Sequence, residues 1–386
     1  MLARETRTLA PLALLMAFPP PALAALPKCE QGYREVRIPL GEKDPSGKRS
    51  IKGYLYSPAP GAKSTGPYKA VVALHGCNGL YKQTRCIDAD GQERSRRLLD
   101  RRFDVWATEL VAEDYVVLFP EDFSDTCKKD RKDSRTPAIV RAIHARRAAE
   151  WLGARADIDP RRIALLGWSH GGQAVLSAAL KRNTPGKKTK FTALIAFYPG
   201  CQQFLADPLK PRKVDHQDLG DWDPEPGVQI LVGELDDWTP RERCEKLIAG
   251  LDEQDRDQSR IGLLEPGNKL YRGAYHGFDG YGKCVVVTDL PSDRGDSGSA
   301  IFMGGPEEAR RDAHSNVKAA LREAFEDLDR PHDGDYDWSL KHESGADEDF
   351  SDAFIQQEIL NEELSEGWWG DLPEPESLKR CPKGQR

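Results

Sequence analysis

Three stretches of the 386-residue chain carry side chains whose types and order suit nucleophilic acyl transfer. The first is Gly167-Trp168-Ser169-His170-Gly171, set between the apolar run RRIALL and the helical pattern QAVLSAAL. A serine on a sharp strand-to-helix turn, with glycines two residues to either side, has the form of a nucleophile elbow: the glycines let neighbouring backbone approach, and the helix start favours developing negative charge. A bare Gly-x-Ser-x-Gly arises often by chance, so the weight rests on the strand and helix that flank it.

A serine hydroxyl is a weak nucleophile at neutral pH and needs an imidazole to take its proton, which in turn needs an acid to orient it. In an elbow enzyme these follow in the order Ser, Asp, His. Among eight histidines, His276 in KLYRGAYHGFDG has the right context, a glycine-containing loop just past an apolar run. His170 adjoins the serine and cannot easily serve its own neighbour as base. His144, inside a helical pattern, and His314, His332 and His342, near or in the C-terminal tail, read as surface residues. For the acid, QILVGELDDWTP ends an apolar run in Asp236 and Asp237, with Glu234 close by. Side chains alternate in direction at a strand end, so only one of the pair can face the histidine. Asp236 is favoured and Asp237 is the alternative.

The oxyanion of a tetrahedral intermediate needs backbone donors. The N–H of His170 is the first, and the second is expected from the loop Leu74-His75-Gly76-Cys77-Asn78-Gly79, where the N–H of Cys77 is the candidate and His75 fixes the loop. The Cys77 thiol as nucleophile is the competing reading, weaker because an exported cysteine is better explained by a disulfide.

These groups need a rigid frame. Apolar runs bounded by turn residues alternate with helical patterns, the signature of an α/β layer structure. Strands are expected at 33–40, 51–57, 70–74, 116–119, 163–166, 193–197, 229–232 and 269–274, and helices at 103–113, 137–152, 170–181, 241–251 and 306–327. Continuous runs such as VVAL, VVLF and ALIAF suit strands buried on both faces, whereas the first two strands alternate and suit an antiparallel edge. The expectation is a mixed, mostly parallel eight-stranded sheet with helices on both faces, in one catalytic domain spanning 25–328.

Composition bounds the rest. Net charge is −7, but Asp329 to Arg386 holds 16 acidic and 6 basic residues, which leaves the body near +3. A near-neutral body lacks the basic field that holds a phosphate backbone, so nucleic acid is not expected as a partner. Arg4 and Arg7, the apolar run from Leu9 to Phe18 and the small-residue site Ala22-Leu23-Ala24 read as a signal peptide over 1–24, with cleavage after Ala24. That run is well short of the roughly 20 residues of a bilayer span. A lipid anchor on Cys29 is not expected, because Lys28 stands before it. The mature protein is therefore expected in the periplasm or outside the cell, without a membrane span.

Eight cysteines in an exported chain suggest disulfides, and neither Cys-x-x-Cys nor His-Glu-x-x-His appears, so no metal is expected, nor any organic cofactor. Residues 329–386 form an acidic tail expected to be partly disordered. Within it, 351–366 places Phe354, Ile355, Ile359, Leu360 and Leu364 on roughly one helical face, ahead of Trp368 and Trp369, as a docking helix would. A marginal helix in a loose tail, and a flap over the body or an anchor for a partner, are about equally compatible with that pattern. Oligomeric state is not readable from the sequence.

Across approximately Tyr33 to Asp327 the chain resembles the dienelactone hydrolase family of α/β-hydrolases, on LHGCNGL, the FPEDF strand end, GWSHGG, YPGC, YHGFD and the pattern Gly233-x-x-Asp236-x-x-x-Pro240. The last match implies that Asp236 is the acid. Founding members carry cysteine as nucleophile where this chain has Ser169, which moves the expected substrate from a lactone toward general carboxylic esters, small or polymeric. The resemblance also implies that the third strand neighbours the fourth and the sixth neighbours the seventh, and from this the bridges Cys77–Cys127 and Cys201–Cys244 are expected.

The expected activity is therefore ester hydrolysis through an acyl-enzyme, with Ser169 attacking, His276 taking the proton and Asp236 orienting it. Since a protonated histidine cannot act as base, activity should fall below about pH 6 to 7. Two other readings compete. A secreted peptidase of prolyl-oligopeptidase type shares fold and residue order, but no propeller repeat precedes the hydrolase segment. An inert hydrolase-fold binding protein would give no reason for all three triad residues.

Overall fold

The computed structural model describes residues 28–328 except 43, 60–65, 123–135, 181–189, 281–284 and 288–300, and except most of 206–226 and 252–270, of which only 213–214, 217–218, 224 and 262–263 are described. The expected signal peptide over 1–24, the tail 329–386 with its expected docking helix at 351–366, His332, His342, Cys127 and Cys381 lie outside the described residues.

The strands are β1 (Tyr33–Pro39), β2 (Ser50–Tyr56), β3 (Tyr68–Leu74), β4 (Tyr81–Ile87), β5 (Glu93–Leu99), β6 (Tyr115–Glu121), β7 (Ile158–Trp168), β8 (Leu194–Phe197), β9 (Lys213–Val214), β10 (Gln217–Asp218), β11 (Val228–Leu231), β12 (Gly262–Leu263), β13 (Val285–Val287) and β14 (Ile301–Met303). The helices are α1 (Arg101–Val111), α2 (Ala138–Gly153), α3 (His170–Ala179), α4 (Arg241–Ala249) and α5 (Glu307–Asp327). The main sheet runs β1-β2-β6-β3-β7-β8-β11-β12, with β1 and β2 antiparallel at one edge and the rest parallel. This is an α/β-hydrolase fold. β4–β5, β9–β10 and β13–β14 pair separately.

Seven strands of four or more residues make up the sheet proper. The eighth place is taken by the two-residue β12; of the expected strand at 269–274, residues 269–270 lie outside the described residues and, among the rest, Tyr271 makes an isolated bridge to Gly233. The arginine- and lysine-rich β4 and β5 are absent from the expected strands, because their exposed, charged faces carry no apolar run.

Alternation along the central strands explains the two cores. Ala70, Val72 and Leu74 of β3 face one way with Leu165 of β7, packed under α2, α3 and α4 through Ala142, Ala145, Val175 and Leu247. Val71 and Ala73 face the other way with Leu166 and Phe197, packed under α1 and α5 through Trp106, Leu110, Val317 and Phe325. Helices therefore cover both faces, which is why the central strands read as unbroken apolar runs. Among the described residues no helix is long and apolar enough to cross a membrane.

The chain divides into two compact units. The smaller, described over 28–30 and Gln83–Arg97, holds most of the β4–β5 pair and is tied by the Cys29–Cys86 disulfide. The larger carries the main sheet and, among the described residues, the five helices named above.

Candidate active site

The site is assembled at the carboxyl ends of β3, β7, β8 and β11, the edge where loops of a parallel sheet converge. β7 ends at Trp168 and α3 begins at His170, so Ser169 alone makes the turn, with φ 54° and ψ −117°. A non-glycine residue in this region stores strain of about 1–3 kcal/mol, held here by the surrounding strand and helix. The flanking glycines permit that geometry. A Cβ on Gly171 would stand 2.1 Å from the carbonyl oxygen of Leu74, and one on Gly167 2.3 Å from that of Gly171. The Ser169 N–H donates to Phe197 O at 2.9 Å, binding the elbow to β8, and the Ser169 side chain stays partly exposed.

His276 lies in the loop after Tyr271. Its Nδ1 is 2.9 Å from Asp236 Oδ2, and both residues are buried. With Nδ1–H donated to the carboxylate, Nε2 is left as the basic nitrogen. Nε2 is buried with no hydrogen-bond partner among the described residues, so the Ser169 hydroxyl is not bonded to it here. Catalytic hydrogen bonds of this kind often close only around substrate.

Asp236 is held rigidly: Oδ1 accepts from Trp238 N at 3.0 Å and Thr239 N at 2.8 Å, and Oδ2 faces Thr239 Oγ1 at 3.0 Å. Asp237 points elsewhere, its Oδ1 accepting from Phe302 N at 3.4 Å. Thr239 is a residue that sequence reasoning missed. Its hydroxyl also lies 3.1 Å from Tyr198 O and 3.1 Å from His276 Nδ1, so it joins Asp236, His276 and the end of β8. Tyr198 and Trp238 enclose the imidazole, with ring centroids 4.3 and 4.6 Å away. The His276 loop is pinned on one side by Leu235 N donating to Ala274 O at 2.9 Å, and on the other by Gly304 N donating to His276 O at 2.8 Å.

Beneath these residues sits a second carboxylate, Asp279, fully buried. It accepts from Trp106 Nε1 at 2.9 Å, Trp168 Nε1 at 2.7 Å and the Tyr198 hydroxyl. Arg102 donates to Tyr198 Oη at 3.0 Å and stands 3.9 Å from Asp279. One carboxyl group thus ties the residue before Ser169, the aromatic ring beside His276 and the His276 loop itself into one frame. Burial, reinforced by the Asp279 charge against the opposing pull of Arg102, pushes the Tyr198 phenol well above its ordinary range and keeps it a donor. Burial would lower Arg102, but Tyr198 and Asp279 outweigh it and hold the guanidinium charged.

The loop after β3 reaches the elbow: a Cβ on Gly76 would stand 3.3 Å from Ser169 Cβ and 3.1 Å from Trp168 O. His170 is buried at the start of α3, and Cys77 is disulfide-bonded. The pairing of Cys77 with Cys127 lies outside the described residues. Cys201–Cys244 is present, joining the segment after Tyr198 to α4, while Cys29–Cys86 is a bridge the sequence reading did not include.

Two histidines read as surface residues are buried instead. His144 faces Asp44 at 3.2 Å, and His314 stacks on Trp106 at 3.8 Å while bonding Glu109 and the Asp279 carbonyl. His144 lies on α2, which is buried over most of its surface, and His314 is buried on α5; each meets a polar partner from a distant segment, which helical periodicity alone does not disclose. Among the described residues no group of three or more His, Cys, Asp or Glu side chains is arranged to hold a metal ion.

No family model matches the chain, and no curated protein matches it. Solved structures are similar at low identity. One, from Klebsiella pneumoniae and described as a dienelactone hydrolase, is 16% identical over 75% of this chain and 99% of its own, with TM-score 0.47. An esterase from Thermogutta terrifontis is 15% identical over 76% of this chain and 92% of its own, with TM-score 0.46. A protein from Bacteroides ovatus described as a dipeptidyl aminopeptidase IV is 14% identical over 75% of this chain and 35% of its own, with TM-score 0.45. The fold assignment rests on the strand order and the elbow rather than on these similarities.

Proposed function

We propose that the chain is an exported serine hydrolase that cleaves carboxylic esters, with Ser169 as nucleophile, His276 as general base and Asp236 as its orienting acid. The observation that carries this reading is the buried 2.9 Å contact between His276 Nδ1 and Asp236 Oδ2, which presents Nε2 as base, at the sheet edge where Ser169 sits strained on its elbow.

In the first half-reaction Ser169 Oγ bonds to the ester carbonyl carbon as its proton passes to His276 Nε2. The carbonyl oxygen takes the negative charge, met by the N–H groups of His170 and Cys77. Collapse of the intermediate breaks the carbon–alkoxy bond, the alcohol leaving with the proton from Nε2. Water, deprotonated by the same nitrogen, then attacks the acyl-enzyme, and Ser169 leaves with the proton restored. Asp236 stabilises the transient imidazolium. The two described disulfides suit an oxidising compartment, which supports export.

Hydrolysis of p-nitrophenyl acetate by the wild type and by Ser169→Ala tests the assignment. Turnover should fall by at least about 10⁴-fold in the variant; equal turnover rejects it. A parallel panel of peptide p-nitroanilides, left nearly untouched, would separate an esterase from a peptidase.

A further inference from the structure

A buried polar ring stands behind the loop that carries Cys77, and the triad chemistry makes no use of it. Its members are Asp122, just past β6, His75, just past the neighbouring parallel strand β3, and Arg141 on α2. His75 Nε2 faces Asp122 Oδ1 at 3.1 Å, Arg141 Nε donates to Asp122 Oδ2 at 2.7 Å, and Arg141 Nη2 donates to the His75 carbonyl at 2.7 Å. The three residues are fully buried.

The ring closes on one peptide. His75 Nδ1 lies 2.8 Å from the Gly76 carbonyl oxygen, which also accepts from Gly79 N at 3.1 Å. In a trans peptide the C=O and the following N–H point in opposite directions. Holding the Gly76 carbonyl toward the His75 ring therefore turns the Cys77 N–H the other way, on a loop that already lies against the elbow at Ser169 Cβ.

We propose that Asp122 is a positioning residue for the oxyanion hole: acting through His75, it fixes the Gly76–Cys77 peptide whose N–H receives the developing negative charge. This rests on the esterase reading above. The energetics give a reason for such a ring to exist, since burying charged partners stabilises a fold poorly compared with apolar packing, whereas their hydrogen bonds orient what they hold. Arg141 completes the arrangement by fixing the preceding carbonyl, so two successive peptides of the loop are held from behind.

The test is a double-mutant cycle on p-nitrophenyl acetate hydrolysis with His75→Ala, Asp122→Ala and the double variant, read as kcat, KM and the Ki of an aryl trifluoromethyl ketone, which forms a tetrahedral adduct with serine. Each single variant should lose about 10- to 100-fold in kcat, below the roughly 10²- to 10³-fold lost with a whole oxyanion donor, with KM little changed. The ketone should weaken by the same factor as kcat/KM. The double variant should lose no more than His75→Ala alone. Asp122→Asn, whose amide oxygen can accept from Arg141 while its nitrogen faces His75, should recover most of the loss. If Asp122→Ala fails to fold, His75→Ala and Asp122→Asn, which both keep an acceptor for Arg141, carry the test by the same ketone measurement. Unchanged kcat and Ki in His75→Ala, or losses that multiply in the double variant, would overturn the inference. Absence of Ser169-dependent hydrolysis in the wild type would instead overturn the esterase reading on which it stands.

Discussion

His276 Nδ1 and Asp236 Oδ2 approach to 2.9 Å in a buried contact, while the adjacent Asp237 turns away to the backbone of Phe302. Two carboxylates that are neighbours in sequence thus have separate environments, and they should respond differently to the same substitution. Asp236→Asn should lower kcat by about 10⁴-fold, because an amide no longer holds the imidazole in the tautomer that leaves Nε2 basic. Asp237→Asn should leave kcat within about threefold, since the bond it makes to Phe302 N is a long one away from the imidazole. Steady-state hydrolysis of p-nitrophenyl acetate by both variants decides the matter, and the reverse ranking would move the acid to Asp237.

Thr239 supplies a finer test of the same corner. Its hydroxyl meets Asp236, His276 and the Tyr198 carbonyl, and Thr239→Val removes that hydroxyl at nearly constant volume. Loss of one such bond to a charged group is worth about 1.5–3 kcal/mol. The expected result is a roughly 10- to 100-fold fall in kcat with KM nearly constant, and an unaltered kcat would show that the hydroxyl serves folding only.

Asp279 should matter first for stability. Truncation to Ala strips the acceptor from Trp106, Trp168 and Tyr198 at once and removes one of the carboxyl groups facing Arg102. Removing one partner of a buried charged network costs about 3–5 kcal/mol, measurable as a lower urea midpoint. Asp279→Asn, which retains one acceptor oxygen, should lose less. A midpoint unchanged in Asp279→Ala would contradict the frame described above.

The buried Asp122 gives a pH signature. Burial alone would raise its carboxyl, but the Arg141 charge and the His75 contact outweigh burial and hold it far below the usual carboxylate range. A depressed folded-state value stabilises the protein above the unfolded value of about 3.9, and that contribution drains away as pH falls below it toward the folded value. The wild type should therefore be more stable than Asp122→Asn at pH 7, and the gap should narrow by up to about 1.4 kcal/mol per pH unit below pH 4. Urea titrations at pH 7, 4 and 3 measure it, and a gap that widens on acidification would contradict the sign.

Much of the frame is legible in the sequence because long-range order leaves a local trace. Strands buried on both faces must be apolar throughout, so β3, β6, β7 and β8 announce themselves, and the elbow needs glycines at fixed offsets from Ser169. The region after Asp236 is less legible. The short β12 and the β13–β14 pair are built from strands of two or three residues and carry little periodic signal. The charged β4–β5 pair hides its structure in backbone bonds and the Cys29–Cys86 bridge. Asp122 and Asp279 stand within the FPEDF and YHGFD motifs, yet their partners come from residues 19 to 173 positions away, so no local pattern reveals what they hold. His144 and His314 read as surface residues for the same reason.

The most direct measurement of the central claim is covalent: intact-mass and peptide analysis of the folded protein after exposure to a fluorophosphonate. A single adduct on the peptide containing Ser169, absent in Ser169→Ala and formed in step with loss of p-nitrophenyl acetate hydrolysis, is the predicted result. An adduct on another residue, or full hydrolysis surviving in Ser169→Ala, would contradict Ser169 as the nucleophile.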